Sequence, residues 1–344
     1  MQRRQWLKGA GAAALSFAGI PSAWANGAAT APRLLVVLLR GGMDGLAAVP
    51  PIGDANYAAI RPTIAVQNSL RLDGSFGLHP SLKHLHQLWG QEQLAVVHST
   101  GFAYAGRSHF EGQDVMQSGM PKPYTSASGW LGRAMQVARV AGGVSISIPM
   151  PLILRGNPES STKFPNWMPP LTPTVADSLA ALWSKDGLMS PYAAIIRAEA
   201  ATQRQGAMNR QNFANARSLP ELGRLAGQEM SQPQGPRVGL IDFTHGFDTH
   251  ASQGADQGGH ADQLLKVDQL VQNFQAAMGP MWANALVVTV TEFGRTVAEN
   301  GTTGTDHGVG TCCVLAGGLI GRSKVYADWR GLHKDQLFEG RDLP

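Results

Sequence analysis

Leu34-Leu35-Val36-Val37-Leu38-Leu39 is an unbroken apolar run that passes directly into Arg40-Gly41-Gly42-Met43-Asp44-Gly45. No polar residue alternates with the apolar ones, so the run fits a strand covered on both faces, as in a parallel sheet. The same pattern recurs at Leu94–Ser99 (LAVVHS), Val144–Ile148 (VSISI), Val238–Phe243 (VGLIDF), Ala285–Thr291 (ALVVTVT) and Cys312–Gly318 (CCVLAGG). Amphipathic helix patterns lie between these runs, notably SLKHLHQLW after Pro80 and ADQLLKVDQLVQNFQAAM after His260. Strands alternating with helices predict an α/β fold with a mostly parallel central sheet flanked by helices.

Residues 151–236 differ in texture. They are richer in Pro, Asn, Gln, Ser and Arg, and their helix-like pieces, TVADSLAALWSKD and SPYAAIIRAEAATQRQ, are joined by proline-bearing loops. This stretch reads as a helical insertion or cap on the main sheet. At the other extreme the chain stops at EGRDLP, a loop-like ending after the strand-like KVYADW, which suggests a product lacking a final helix or strand.

The first 25 residues read as a removable export signal. Arg3 and Arg4 precede an apolar stretch from Gly9 to Ile20, and Ala23-Trp24-Ala25 supplies a small-x-small exit. The apolar stretch is too short to span a bilayer, so no stable membrane anchor is expected. Gln5, Trp6, Leu7 and Lys8 after the arginine pair resemble a twin-arginine signal, with an ordinary secretory signal as the alternative. A mature protein starting near Asn26, periplasmic or secreted, follows, with the twin-arginine export machinery as a partner. Such export carries folded chains, which suits a protein that takes up its cofactor first.

Formal net charge is +4, of which Arg3, Arg4 and Lys8 lie in the signal. The remainder is close to neutral without a basic run, which argues against nucleic-acid binding. Hydrophobic residues make up 43% and charged residues 15%, a composition that builds one large core. Cys312 and Cys313 are neighbours in a buried strand pattern and read as core thiols rather than as a disulfide or a metal site.

Chemistry-bearing residues gather where runs end, and open α/β sheets bind ligands beyond the carboxyl ends of their strands. Asp44 follows the first run, and its other reading is a turn aspartate bonding its own backbone. Asp248 and His250, in Gly246–His250, share a face if the segment is extended. Glu292 ends ALVVTVT and is either a metal ligand or a clamp on Arg295. Asp306 and His307, in GTDHG, pair an acid with an imidazole, types that seldom fill a core. The plain alternative is a solvated loop with a helix-capping aspartate. His260 opens a helix pattern and is open between ligand and helix-start residue. Together Asp44, Asp248, His250, Glu292, Asp306 and His307 offer the donors of a divalent metal site, compatible with zinc, manganese or calcium.

Arg107-Ser108-His109-Phe110-Glu111 looks like a helix start, with Ser108 and Glu111 at capping-box spacing. A nucleophilic Ser108 there would gain from the helix dipole toward a bound anion that Arg107 could also hold.

RGGMDGL, SLKHLHQLW followed by LAVVHS, RSHFEGQD, GWLGR, GFDTH, ALVVTVTEFGRT and GTDHG, in that order over most of the mature chain, resemble the bacterial domain-of-unknown-function family 1501. These are exported proteins of the alkaline phosphatase and sulfatase superfamily. The resemblance implies an alkaline-phosphatase-like fold, a metal at the strand ends, and an attacking serine, threonine or modified cysteine. Asp44 is similar to the acidic ligand after the first strand, Ser108 to the nucleophile, and Asp248 with His250 to the Asp/His ligand pair, more closely spaced than usual. Where sulfatases follow this strand with Ser-Asp-His-Gly, Glu292 stands for the acid and Phe293 for the imidazole, so Asp306-His307 would have to supply the histidine from a later loop. The Cys-x-Pro-x-Arg motif of formylglycine sulfatases is absent. The expectation is an exported metal-dependent hydrolase of phosphate or sulfate esters, acting on a small or polymer-linked ester. The alternative is a non-catalytic exported binding or assembly protein with a degenerate metal site.

Overall fold

The computed structural model describes residues 31–147, 150–163, 172–186, 189–190, 192–193, 196, 218–243 and 246–344. The export signal, most of SPYAAIIRAEAATQRQ and the end of VSISI lie outside these residues. Described residues up to Lys163 and from Leu219 onward form one unit, and those between Phe164 and Ser218 form another. The second unit carries α6 (Pro173–Trp183), opened by Thr172, whose hydroxyl accepts from the Val175 amide at 3.4 Å. Segments 151–163 and 219–236, expected within the insertion, belong to the first unit.

Among the described residues, eight strands of the first unit form one sheet in the order β10-β4-β9-β8-β1-β7-β5-β6. β1 (Arg33–Leu39) sits centrally and pairs in parallel with β7 (Val238–Phe243) and with β8 (Ala285–Val290). β4 (Leu94–Thr100), β5 (Val144–Ser145), β6 (Ser161–Thr162) and β10 (Lys324–Tyr326) also make parallel pairings. β9 (Thr311–Ala316) runs antiparallel to both β8 and β4. An antiparallel return needs no crossover helix. The chain between β8 and β9 is therefore spent on a long loop, residues 291–310, at the carboxyl end of β8.

The unbroken apolar run of β1 is explained by its two faces. Leu35, Val37 and Leu39 pack into one core cluster, whereas Val36 and Leu38 pack into a second. On the first face lie α3 (Lys83–Gly90), α7 (Leu219–Met230) and α8 (Gly259–Met278), through Leu85, Leu88, Ala226, Leu264, Leu270 and Phe274. On the second lie α4 (His109–Ser118) and α5 (Trp130–Val137), through Met116, Leu131 and Met135. Each fully buried aliphatic side chain contributes roughly 1.5–3 kcal/mol, so this double covering supplies the force that flattens helices onto both faces. The fold is thus mixed α/β, with a mostly parallel central sheet flanked by helices.

Candidate metal centre

Beyond the carboxyl ends of β1, β4, β7 and β8 the chain brings together three imidazoles and a carboxylate, side chains of the types that ligate metals. Asp248 and His250 come from the turn after β7, His307 from the loop after β8, and His109 from the first turn of α4, after β4. His250 Nε2 and His307 Nε2 each lie 3.1 Å from Asp248 Oδ1, and His109 Nε2 lies 3.3 Å from Asp248 Oδ2. The two Nε2 atoms of His250 and His307 are only 2.9 Å apart. Donor atoms of His109, Asp248 and His307 all fall within 4.8 Å of one another.

Each imidazole is held from behind through Nδ1. The Nδ1 of His109 meets Glu292 Oε1 at 2.9 Å, that of His250 meets Asp306 Oδ1 at 3.2 Å, and that of His307 meets the carbonyl of Arg107 at 2.8 Å. Carbonyls and carboxylates only accept, so each Nδ1 carries a proton and Nε2 is the ring atom left to face Asp248. His109 Nε2 is buried and hydrogen-bonds to nothing. Ring nitrogens packed this closely around an ionised carboxylate need protons or a metal cation between them. Two atoms each about 2.1 Å from a tetrahedral ion stand about 3.4 Å apart, close to the separations found here. The donor set therefore fits a divalent metal.

The electrostatics hold Asp248 ionised and His307 neutral, and draw His109 toward its protonated form, so a metal would have to displace that proton. Burial of Asp248 opposes its ionisation, but the hydrogen bond and charge of Arg295 prevail, and the carboxyl falls to about 2. The hydrogen bond to Glu292, with the charges of Glu292 and Asp248, raises His109 above the usual histidine value despite burial. Burial lowers His307, so its neutral, lone-pair-bearing form is favoured.

Arg295 fastens this corner. Fully buried, it donates to the carbonyls of Gly42 (2.7 Å), Thr305 (3.1 Å), Phe247 (3.0 Å) and Gly41, and to Asp248 Oδ1 at 2.6 Å. The clamp on Glu292 anticipated as an alternative is absent; Arg295 clamps Asp248. Gly41 and Gly42 adopt φ of +114° and +69°, and added Cβ atoms would stand 2.7 Å from the Asp248 amide and 2.6 Å from the Phe293 ring. Glycine alone combines that backbone with that proximity. Phe293 is buried, with its ring 4.9 Å from that of His109 and 4.8 Å from that of His307. It walls the site where the resemblance places an imidazole.

The residues singled out in the sequence divide accordingly. Asp248, His250 and His307 converge. Asp306 orients His250 and is itself held by Asn300 at 3.2 Å. Glu292 stands behind His109, fully buried, accepting from the Gly41 amide at 2.9 Å and from Gln113 Nε2 at 3.1 Å. Burial would raise its pKa, but the His109 and Gln113 hydrogen bonds outweigh that and lower it. Asp44 does not join the cluster. It is buried in a two-pronged pair with Arg61, at 2.6 and 3.1 Å, and also accepts from Gln253 Nε2 at 2.6 Å and from the Leu46 amide at 3.1 Å. His260 is equally buried and accepts from the Asp44 amide at 3.3 Å; burial drives its pKa down to about 3, leaving it neutral.

Ser108 caps α4 through its backbone alone. Its hydroxyl makes no cap bond, and Glu111 accepts from Tyr104 at 2.7 Å, so the capping box is not formed. Arg107 holds Asp342 at 2.7 Å and Glu339 at 2.6 Å, which takes up its guanidinium, and it serves the cluster through its carbonyl. His109 is the member that sequence reasoning missed. The signal was there in RSHFEGQD, an imidazole in the first turn of a helix that follows a strand. Replacing Glu292 with Gln keeps an accepting oxygen for its three donors but removes the negative charge behind His109 and turns an amide N–H2 toward the Thr291 hydroxyl that now donates to Oε2. We expect metal affinity to fall roughly 10- to 100-fold, the usual effect of losing a ligand's outer hydrogen-bond partner. Competition against a chelating dye measures this, and unchanged affinity would contradict the role assigned to Glu292.

No curated protein matches the chain. Among solved structures it is similar to the C-terminal periplasmic domain of EcEptC from Escherichia coli in complex with Zn, at 10% identity and a TM-score of 0.40, covering 83% of this chain and 73% of that one. It is similar to alkaline phosphatase from the Antarctic bacterium TAB5 at 10% identity and a TM-score of 0.35, covering 86% and 94%. It is also similar to murine ectonucleotide pyrophosphatase/phosphodiesterase 5 in complex with AMP, at 13% identity and a TM-score of 0.35, covering 77% of this chain and 57% of that one. The family model described as "Protein of unknown function (DUF1501)" matches residues 31–340, and the chain accordingly belongs to the DUF1501 family.

Proposed function

We propose that this protein is an exported metal-dependent hydrolase of phosphate or sulfate esters, with one divalent cation held by His109, Asp248, His250 and His307. The observation that carries this reading is the convergence of three imidazole Nε2 atoms on the Asp248 carboxylate. A set of three imidazoles and one carboxylate favours zinc or a similar transition metal over calcium, which prefers six or more oxygens. Bound there, such an ion polarises an ester oxygen and lowers the pKa of a coordinated water.

The remaining work falls to this chain's own residues. Glu292, Asp306 and the Arg107 carbonyl fix the three rings, Arg295 fixes Asp248, and Phe293 excludes water from one side. Ser108, adjacent in sequence to His109 and with its hydroxyl unused as a cap, is the proposed nucleophile. Export through the twin-arginine machinery to the periplasm or the medium completes the proposal and rests on the pattern of residues 1–25. Among the described residues no helix is long and apolar enough to cross a membrane.

A second reading, a non-catalytic exported binding or assembly protein with a degenerate metal site, is favoured by Arg295, which already occupies Asp248 Oδ1. Elemental analysis of protein isolated from its own compartment, combined with assays on aryl phosphates and aryl sulfates, separates the two. We expect about one metal per chain and turnover that is lost on chelation and restored by zinc or manganese. Less than about half a metal per chain would select the second reading, and metal without turnover would mean a structural ion; either would overturn the first.

A further inference from the structure

The opposite end of the sheet holds a second chemically distinctive place. A cavity of about 420 Å³ opens at the amino ends of β1, β5, β6 and β7, with Arg33, Arg139, Lys163 and Arg237 in its lining. Glu229 is the only acid in that lining, and it pairs with Lys163. Arg237 aside, the lining sets Arg33, Arg139 and Lys163 against that one acid. Arg33 is the first residue of β1 and Asp248 lies beyond the carboxyl end of β7. At about 3.3 Å per residue, seven residues of strand put roughly 20 Å between this cavity and the metal centre, so the two are separate sites.

Arg33 is the informative member. It is 2% exposed, yet its guanidinium donates to carbonyl oxygens, those of Met230 at 2.9 Å and Ala31 at 3.2 Å, rather than to a carboxylate. Carbonyls satisfy its hydrogens without cancelling its charge. Burial, and then the nearby charge of Arg237, both push its pKa below the usual arginine value. A buried cation is kept at such cost when an anion offsets it, and guanidinium groups match tetrahedral oxyanions in geometry.

We propose that this cavity binds the phosphate or sulfate group of a small anionic ligand, with Arg33 at its floor and Arg139 and Lys163 at its mouth. The volume exceeds that of one inorganic ion, which leaves room for an organic portion beside the charged group. Glu229 acts in the opposite sense, by neutralising Lys163 and weakening the site.

Isothermal titration of the full chain with inorganic phosphate, and separately with sulfate, tests the proposal. A chelator is present throughout so that the metal centre contributes nothing. Saturable one-to-one binding is expected, weakened about tenfold in the double variant Arg139→Gln/Lys163→Gln and tightened severalfold in Glu229→Gln. All three positions are at the surface or partly so, and the substitutions leave the core intact. Failure to saturate, or equal affinity in the wild type and the double variant, would overturn the proposal. So would a Glu229→Gln variant that binds more weakly, because a merely structural acid loosens the cavity whereas an opposing charge tightens it.

Discussion

Asp248→Asn is expected to empty the metal centre while leaving the fold standing. The carboxylate is the one negative donor toward which three imidazole Nε2 atoms turn, and an amide cannot offset the charge of a divalent ion. Affinity should therefore fall by well over the roughly 10- to 100-fold attached to an outer hydrogen-bond partner, and ester hydrolysis with it. Arg295 keeps its carbonyl partners at Gly42, Thr305 and Phe247, so the corner of the site retains its scaffold. A ligand held at a hundred times its dissociation constant stabilises the folded state by about 2.7 kcal/mol, worth several degrees in melting temperature. The wild type should lose those degrees on chelation, and Asp248→Asn should melt at one temperature with or without chelator. A variant that still loses stability on chelation, or still carries about one metal per chain, would remove Asp248 from the centre.

The sequence and the structure agree best where a property is local. Every long apolar run read as a strand is one, because an unbroken run is the direct imprint of a strand packed on both faces, as the split of β1 between two clusters shows. Of the VSISI run only Val144–Ser145 forms β5, while the two-residue β6 and the reversed direction of β9 left no such imprint, since direction and edge pairing are set by tertiary closure. Site residues follow the same rule. Asp248, His250 and His307 were visible because they sit in glycine-punctuated loops where an acid and an imidazole have no packing role. His109 was read as part of a helix start, and only the folded chain sets it beside Asp248, far along the sequence. Asp44 looked like a ligand for the same reason that Asp248 did, an acid after a buried strand. What separates them is the partner: Arg61, from the end of α2 (Tyr57–Ile60), reaches Asp44, and nothing in NYAAIRP announces that reach.

That partner makes Arg61→Met the substitution expected to cost the most stability. Asp44 and Arg61 are both essentially inaccessible to water, and Arg61 also donates to the carbonyls of Val297 at 2.7 Å and Thr296 at 2.8 Å. Removing the guanidinium leaves Asp44 buried with only Gln253 and the Leu46 amide, and strands two carbonyls. Breaking one side of such a pair costs about 3–5 kcal/mol, a large part of the 5–15 kcal/mol that holds a typical domain together. The pair also imposes a pH dependence of definite sign. Burial raises the Asp44 pKa, but the charge and hydrogen bonds of Arg61 more than reverse this and bring it from 3.8 to about 2. A carboxyl whose folded value lies below its unfolded value stabilises the protein above the unfolded value, and the stabilisation fades as pH falls from about 4 to about 2. Nearly two pH units of difference amount to about 2 kcal/mol. Urea unfolding of the metal-free chain at pH 7 and pH 3 should show about half of this loss, roughly 1 kcal/mol, in the wild type, because pH 3 lies midway through the titration. In Asp44→Asn, which cannot ionise, the same change of pH should cost about that much less. An equal acid response in the two proteins would mean that Asp44 is not ionised in the fold, and the Arg61 pair would lose its claim as the electrostatic anchor beneath the site.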